Sequence, residues 1–183
     1  MAKSIGAHLV GSVPLSNAAE VFEQASRQLA GRVRRIPDGE TGPRFMWVGW
    51  QQQVFERTPQ LERVQAADSW GEAAEDYAEQ QGSNQAPPSF RLADGVETRD
   101  VAFPPLGYAD EAIASFETFR GLQADRVIAP GVRFQVSMPT PVASCTAFLE
   151  PGSFAAVEPV YEAAMLAELQ RILDAIPHDQ MAI

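Results

Sequence analysis

Apolar and polar positions follow one another with a period that changes along the chain, and each change marks an element. Residues 7–13, Ala-His-Leu-Val-Gly-Ser-Val, form a short apolar run ended by Pro14, which predicts a buried strand centred on residues 9–12. Asn17 followed three residues later by Glu20 is a capping-box pattern. Val21, Phe22, Ala25 and Leu29 then recur at helical spacing, and Gly31 is a natural helix stop. Residues 33–37 predict a second strand. The loop Asp38-Gly39-Glu40-Thr41-Gly42-Pro43-Arg44 follows it, and then a helix over residues 45–57 carrying Trp47, Trp50 and Phe55.

The middle of the chain breaks this rhythm. Residues 66–89 are polar and rich in Glu, Gln, Ser and Pro, which predicts a surface excursion, partly helical near residues 70–80. Ala93-Asp94-Gly95 lies between two alternating runs in residues 89–103, a hairpin signal. Residues 109–122 predict a helix with Ala112, Ile113, Phe116 and Phe119 on one face. Residues 133–138 predict a strand stopped by Pro139-Thr140-Pro141. The clearest helix is residues 155–176, with an apolar stripe of Val160, Ala163, Ala164, Leu166, Leu169, Ile172, Leu173 and Ile176. Pro177 and His178 end it, and residues 181–183 begin another strand.

Strands alternating with helices imply an α/β fold with a parallel sheet and crossover connections. We expect one domain over residues 1–183, since the chain is long enough for one sizeable core. A whole (βα)8 TIM barrel takes about 250 residues. Roughly four strands are foreseen here, so the expectation is a partial barrel of the TIM type with a hairpin and helical excursion. Such a half would leave sheet edges unpaired. Self-association, or a partner or longer chain that completes the barrel, is expected to cover them.

Charge and composition narrow the partners. The net charge of -10 disfavours nucleic acid and anionic membrane. The apolar runs are too short to span a bilayer, and the first residues lack the apolar stretch of a secretion signal. A single cysteine, Cys145, forms no internal disulfide, which fits a reducing cytoplasm. By itself Cys145 reads as a small buried hydrophobe.

Parallel α/β folds bind ligands at the C-terminal ends of their strands. Three segments are placed there: Val10-Gly11-Ser12-Val13-Pro14, the loop of residues 38–44, and Ser137-Met138-Pro139-Thr140-Pro141. Each taken singly is also what an ordinary turn looks like. The first offers backbone N–H groups and a hydroxyl. The second holds two carboxylates, two glycines and an arginine in seven residues, a polar binding loop or a solvated turn.

Together, LVGSVPL, RRIPDGETGPR, FQVSMPTPVAS and EPVYEAAMLAELQRILDAIPHDQMAI resemble the cobalamin-independent methionine synthase family, in the superfamily that includes uroporphyrinogen decarboxylase. The resemblance covers most of the chain, is weakest over residues 60–105, and matches the N-terminal half of that barrel. It implies that Val10, Gly11 and Ser12 bind the amino acid homocysteine, and that Glu40, in the Gly39-Glu40 pair, binds its amino group. It also implies methyl transfer from a folate to a thiol held as thiolate on zinc. The family's zinc ligands, His, Cys, Glu and Cys, come from the second half of the barrel. This chain has only His8, His178 and Cys145, without ligand spacing, so it is not expected to bind zinc alone or to be active in isolation. His8 reads as a structural residue beside the first strand, and His178 as a helix C-terminal residue.

The remaining features have ordinary readings. Trp47 and Trp50 are commoner as packing aromatics than as the walls of a pterin pocket. Arg32, Arg34 and Arg35 read as solvated charge, and Glu158, Glu162 and Glu168 as the polar face of the last helix. Three functions stand: a methionine-synthase-like thiol methyltransferase taking a small amino-acid thiol, another thiol alkyl transfer on the same scaffold, and a non-catalytic fragment.

Overall fold

The computed structural model describes residues 6–46, 48–64 and 88–183. They form two compact units, one from the described parts of Met1–Trp47, Gly107–Met138 and Glu168–Ile183, the other from those of Val48–Leu106 and Pro139–Ala167. The polar excursion foreseen at residues 66–89 lies almost wholly outside the described residues, as does Trp47.

The first unit is built on a parallel sheet of β1 (Arg35–Pro37), β4 (Arg133–Gln135) and β5 (Met181–Ala182), in that order. Ile36 pairs in register with Phe134, and Phe134 with Met181. Strands adjacent in space therefore follow sequence order, as in a parallel α/β fold. The strand foreseen at the end of the chain is present. The strand foreseen at residues 7–13 is not regular. Its segment runs beside β1, with the Ala7 N–H on the Arg32 carbonyl at 2.8 Å and the Val13 N–H on the Gly39 carbonyl at 2.9 Å. Between these points the Gln135 side-chain amide takes the Leu9 and Val10 carbonyls, both at 2.8 Å. A side chain thus replaces the ladder, and Val10 is 81% exposed, not buried.

Helix α1 (Ala18–Gln28) starts as its sequence foretells. Asn17 accepts the Glu20 N–H at 2.9 Å, while the Glu20 carboxylate takes the Ser16 N–H, one residue before the expected partner. Phe22 is fully buried and meets Phe119 edge to face at 5.3 Å. Phe119 belongs to α3 (Tyr108–Ala124). Phe22, Ile36, Phe116, Phe119, Ile128, Phe134, Ile172 and Met181 form one continuous core. A fully buried side chain of this size contributes roughly 1.5–3 kcal/mol, so this cluster fixes helices and sheet together.

The second unit pairs β2 (Leu61–Val64) antiparallel with β3 (Ser89–Leu92). The turn at Asp94-Gly95 exists, but β3 pairs back to β2 and not forward across it, so the foreseen hairpin is corrected. The helix foreseen over residues 45–57 is also shorter. Tight turns span Gly42–Met46 and Gly49–Gln51, and only α2 (Gln52–Glu56) is α-helical. Thr140 accepts the Ala143 N–H and caps α4 (Pro141–Phe148), an element the sequence pattern did not reveal. Phe55 packs against Phe90, Phe103, Phe148 and Tyr161.

The long helix α5 (Pro151–Ala175) contributes to both units. Its buried positions are Ser153, Val157, Tyr161, Met165, Glu168, Ile172 and, just beyond its end, Ile176. That stripe is rotated from the foreseen one, and Leu166 is 57% exposed. No helix among the described residues is long and apolar enough to cross a membrane.

Candidate functional site

The C-terminal ends of β1 and β4 and the neighbouring segment 9–13 gather the polar groups of the first unit. The chain leaves β1 through Asp38, Gly39 and Glu40. Gly39 has φ of 82°, and a Cβ there would stand 2.7 Å from Val21 Cγ2. Both facts require glycine. Glu40 follows with φ of 47°, a left-handed conformation that costs a non-glycine residue of order 1–3 kcal/mol.

Asp38 stabilises that conformation. It is buried, its Oδ1 accepts the Glu40 N–H at 3.0 Å, and its Oδ2 accepts Arg44 Nη2 and Ser115 Oγ, each at 2.8 Å. Arg44 also pairs through Nε with Glu111 at 3.2 Å. Tyr108, Glu111, Ala112 and Ser115 share one face of the first turns of α3, which brings Ser115 and Glu111 onto the loop.

The strained backbone delivers the Glu40 carboxylate to Gly11 and Ser12. Ser12 Oγ donates to Glu40 Oε2. A Cβ on Gly11 would lie 3.1 Å from that oxygen and 3.5 Å from Ser137 Cβ. Ser137 in turn donates to the Val10 carbonyl at 3.1 Å. The structure therefore brings Val10, Gly11, Ser12 and Glu40 together, with Val10 contributing backbone while its side chain faces solvent. Among the described residues the Gly11 and Ser12 N–H groups have no hydrogen-bond partner.

The electrostatics favour a cation. Asp38 and Glu111 share one arginine and the Glu40 carboxylate meets only a hydroxyl, leaving an excess of negative charge. Asp38 is fully engaged, whereas Glu40 accepts a single hydroxyl and keeps acceptor capacity for an ammonium. A recess of about 20 Å³ opens beside Arg44, bordered by Asp38, Tyr108, Glu111 and Ser137.

The other foreseen residues lie elsewhere. The Thr140 hydroxyl is spent on a helix cap. His8 is exposed, and His178 Nε2 sits 3.0 Å from the Leu173 carbonyl. Cys145 is buried in the second unit, where burial, aided by Glu158, pushes its thiol up to about 12. These three do not form a zinc site, and among the described residues no three His, Cys, Asp or Glu side chains gather as metal ligands. Glu168 is a correction. It is not on a polar face but 5% exposed, accepting the Ala109 N–H at 2.6 Å and pairing with Arg171 at 3.2 Å. It caps α3, whose N-cap residue Gly107 has no side chain to do so.

Sequence reasoning named the loop and Ser12 but missed Glu111, Ser115 and Glu168. For the first two a signal existed: polar residues at helical spacing on the face that also carries Ala112. The chain matches no family model, no curated protein and no solved structure.

Proposed function

We propose that this chain supplies the amino-acid-binding half of a methionine-synthase-like site, at which a methyl group passes to a small homocysteine-like thiol. Glu40 takes the amino group, and Gly11 and Ser12 with the Val10 backbone form the opposite wall. The observation that carries this reading is the left-handed Glu40, held by Asp38 so that its carboxylate reaches Ser12 over Gly11. A strained acidic residue whose conformation is fixed by a buried neighbour is preorganised for a charged ligand. The metal and a folate methyl donor belong, in this reading, to residues other than those described, in a partner or a further part of the barrel.

Calorimetry with L-homocysteine tests it. Binding is expected, and Glu40→Gln should weaken it by at least about tenfold, the loss of one charge-assisted contact. Equal affinity in the variant counts against the ammonium role. One observation favours the non-catalytic reading instead: the single thiol of the chain, Cys145, is buried in the second unit, with burial pushing it up to about 12. Methyl transfer from a folate donor in the presence of zinc separates the two.

A further inference from the structure

We propose that Arg44 anchors the carboxylate of the amino-acid ligand, with Glu111 occupying that place until the ligand displaces it. This rests on the reading that Glu40 takes the amino group.

Arg44 is held unequally by its two partners. Its Nη2 meets Asp38, whose oxygens are filled by Glu40, Ser115 and Arg44 itself. That side is fixed. Its Nε meets Glu111, whose side chain is 52% exposed and has no other partner among the described residues. A half-exposed ion pair of this kind contributes little and is readily exchanged. The guanidinium has five donors in a rigid fork, and among the described residues its Nη1 has no partner. Arg44 is nevertheless largely shielded, with 14% of its side chain exposed, so an anion that reaches it is bound where water competes weakly.

Ser137 borders the Arg44 recess, and its Cβ and Glu40 Oε2 both lie against the same point over Gly11. An ammonium on Glu40 and a carboxylate toward Arg44 are therefore on two sides of one serine. The recess, about 20 Å³, has room for about one water, so a carboxylate enters only as Glu111 leaves. Charge favours the exchange. A zwitterion returns to Arg44 the negative charge it loses with Glu111 and adds a positive charge opposite Glu40. The Gly11 and Ser12 N–H groups can hold a second carboxylate oxygen but carry no full charge.

The test compares L-homocysteine with 3-aminopropane-1-thiol, the same thiol amine without the carboxylate, by calorimetry on the whole chain. The wild type should prefer the amino acid by about tenfold or more. Arg44→Gln should remove that preference. Glu111→Gln, which leaves the Asp38 pair intact, should raise it several-fold by removing the competing anion. Equal affinity for the two ligands in the wild type, or a preference that Glu111→Gln leaves the same or lowers, overturns the Arg44 assignment while the Glu40 reading stands. Failure of the wild type to bind either ligand overturns the Glu40 reading, and this one with it.

Discussion

Gly39 lies so close to Val21 that a Cβ on the glycine would stand 2.7 Å from the valine Cγ2. The contact ties the loop carrying Glu40 to the buried face of α1. Gly39→Ala should therefore cost at least about 2 kcal/mol, from left-handed strain and overpacking together. Urea unfolding should show a lower midpoint with an unchanged slope. A midpoint equal to the wild type would mean that the loop adapts freely.

Asp38→Asn tests the support beneath Glu40. The substitution removes the buried charge opposite Arg44 and replaces an acceptor oxygen with a donor group. The expected loss is about 3 kcal/mol, the range for breaking one side of a buried pair. Amino-acid binding should fall as well, because the Glu40 N–H loses its staple. Wild-type stability would show that Glu111 alone satisfies Arg44.

Glu168 separates hydrogen bonding from charge. Glu168→Gln keeps an oxygen for the Ala109 N–H and should cost about 1 kcal/mol, whereas Glu168→Ala leaves that buried donor unpaired and should cost about 2 kcal/mol or more. Denaturant melts of the two variants give the order. Equal losses would assign the effect to the charge on Arg171 instead.

Cys145 should be inert in the native state. With its thiol pushed up to about 12, it carries almost no thiolate at pH 8, and a maleimide or disulfide reagent should modify it only after denaturant is added. The sign of the pH effect follows from the raised value. The folded chain keeps this proton where the unfolded chain, with its thiol near 9.0, gives it up. This contribution to stability is whole below pH 9 and is lost as pH rises from there toward 12. Rapid native labelling at pH 8 would contradict the buried placement.

The elements that were legible in the sequence are those whose signal is local. The Asn17 cap, the Phe22 face of α1, the Gly31 stop, the face of α3 and the final strand all follow from spacing over a few residues. The β2–β3 pairing was not legible, because strand partners are chosen by tertiary packing and the Asp94-Gly95 turn signal names no partner. The buried stripe of α5 shares Ile172 and Ile176 with the foreseen one but runs through Val157, Tyr161, Met165 and Glu168, and a buried Glu168 reads as polar in any periodicity count. Its burial is stabilised by a backbone donor on another helix, which no local pattern contains.

The candidate site divides in the same way. Sequence by itself determined that a Gly-Ser segment and a loop of two carboxylates, two glycines and an arginine follow predicted strands, and parallel α/β folds place such segments at one end of the sheet. Only the tertiary structure decided what they do to one another: that Asp38 is a buried staple and not a ligand group, that Glu40 is turned back over Gly11 to reach Ser12, and that α3 brings Glu111 and Ser115 to Arg44 and Asp38. The reason is physical. Strand ends are set by local hydrophobic pattern and breakers, whereas a carboxylate's role depends on which donors surround it, and Ser12 for Glu40 and Ser115 for Asp38 come from 28 and 77 positions away along the chain.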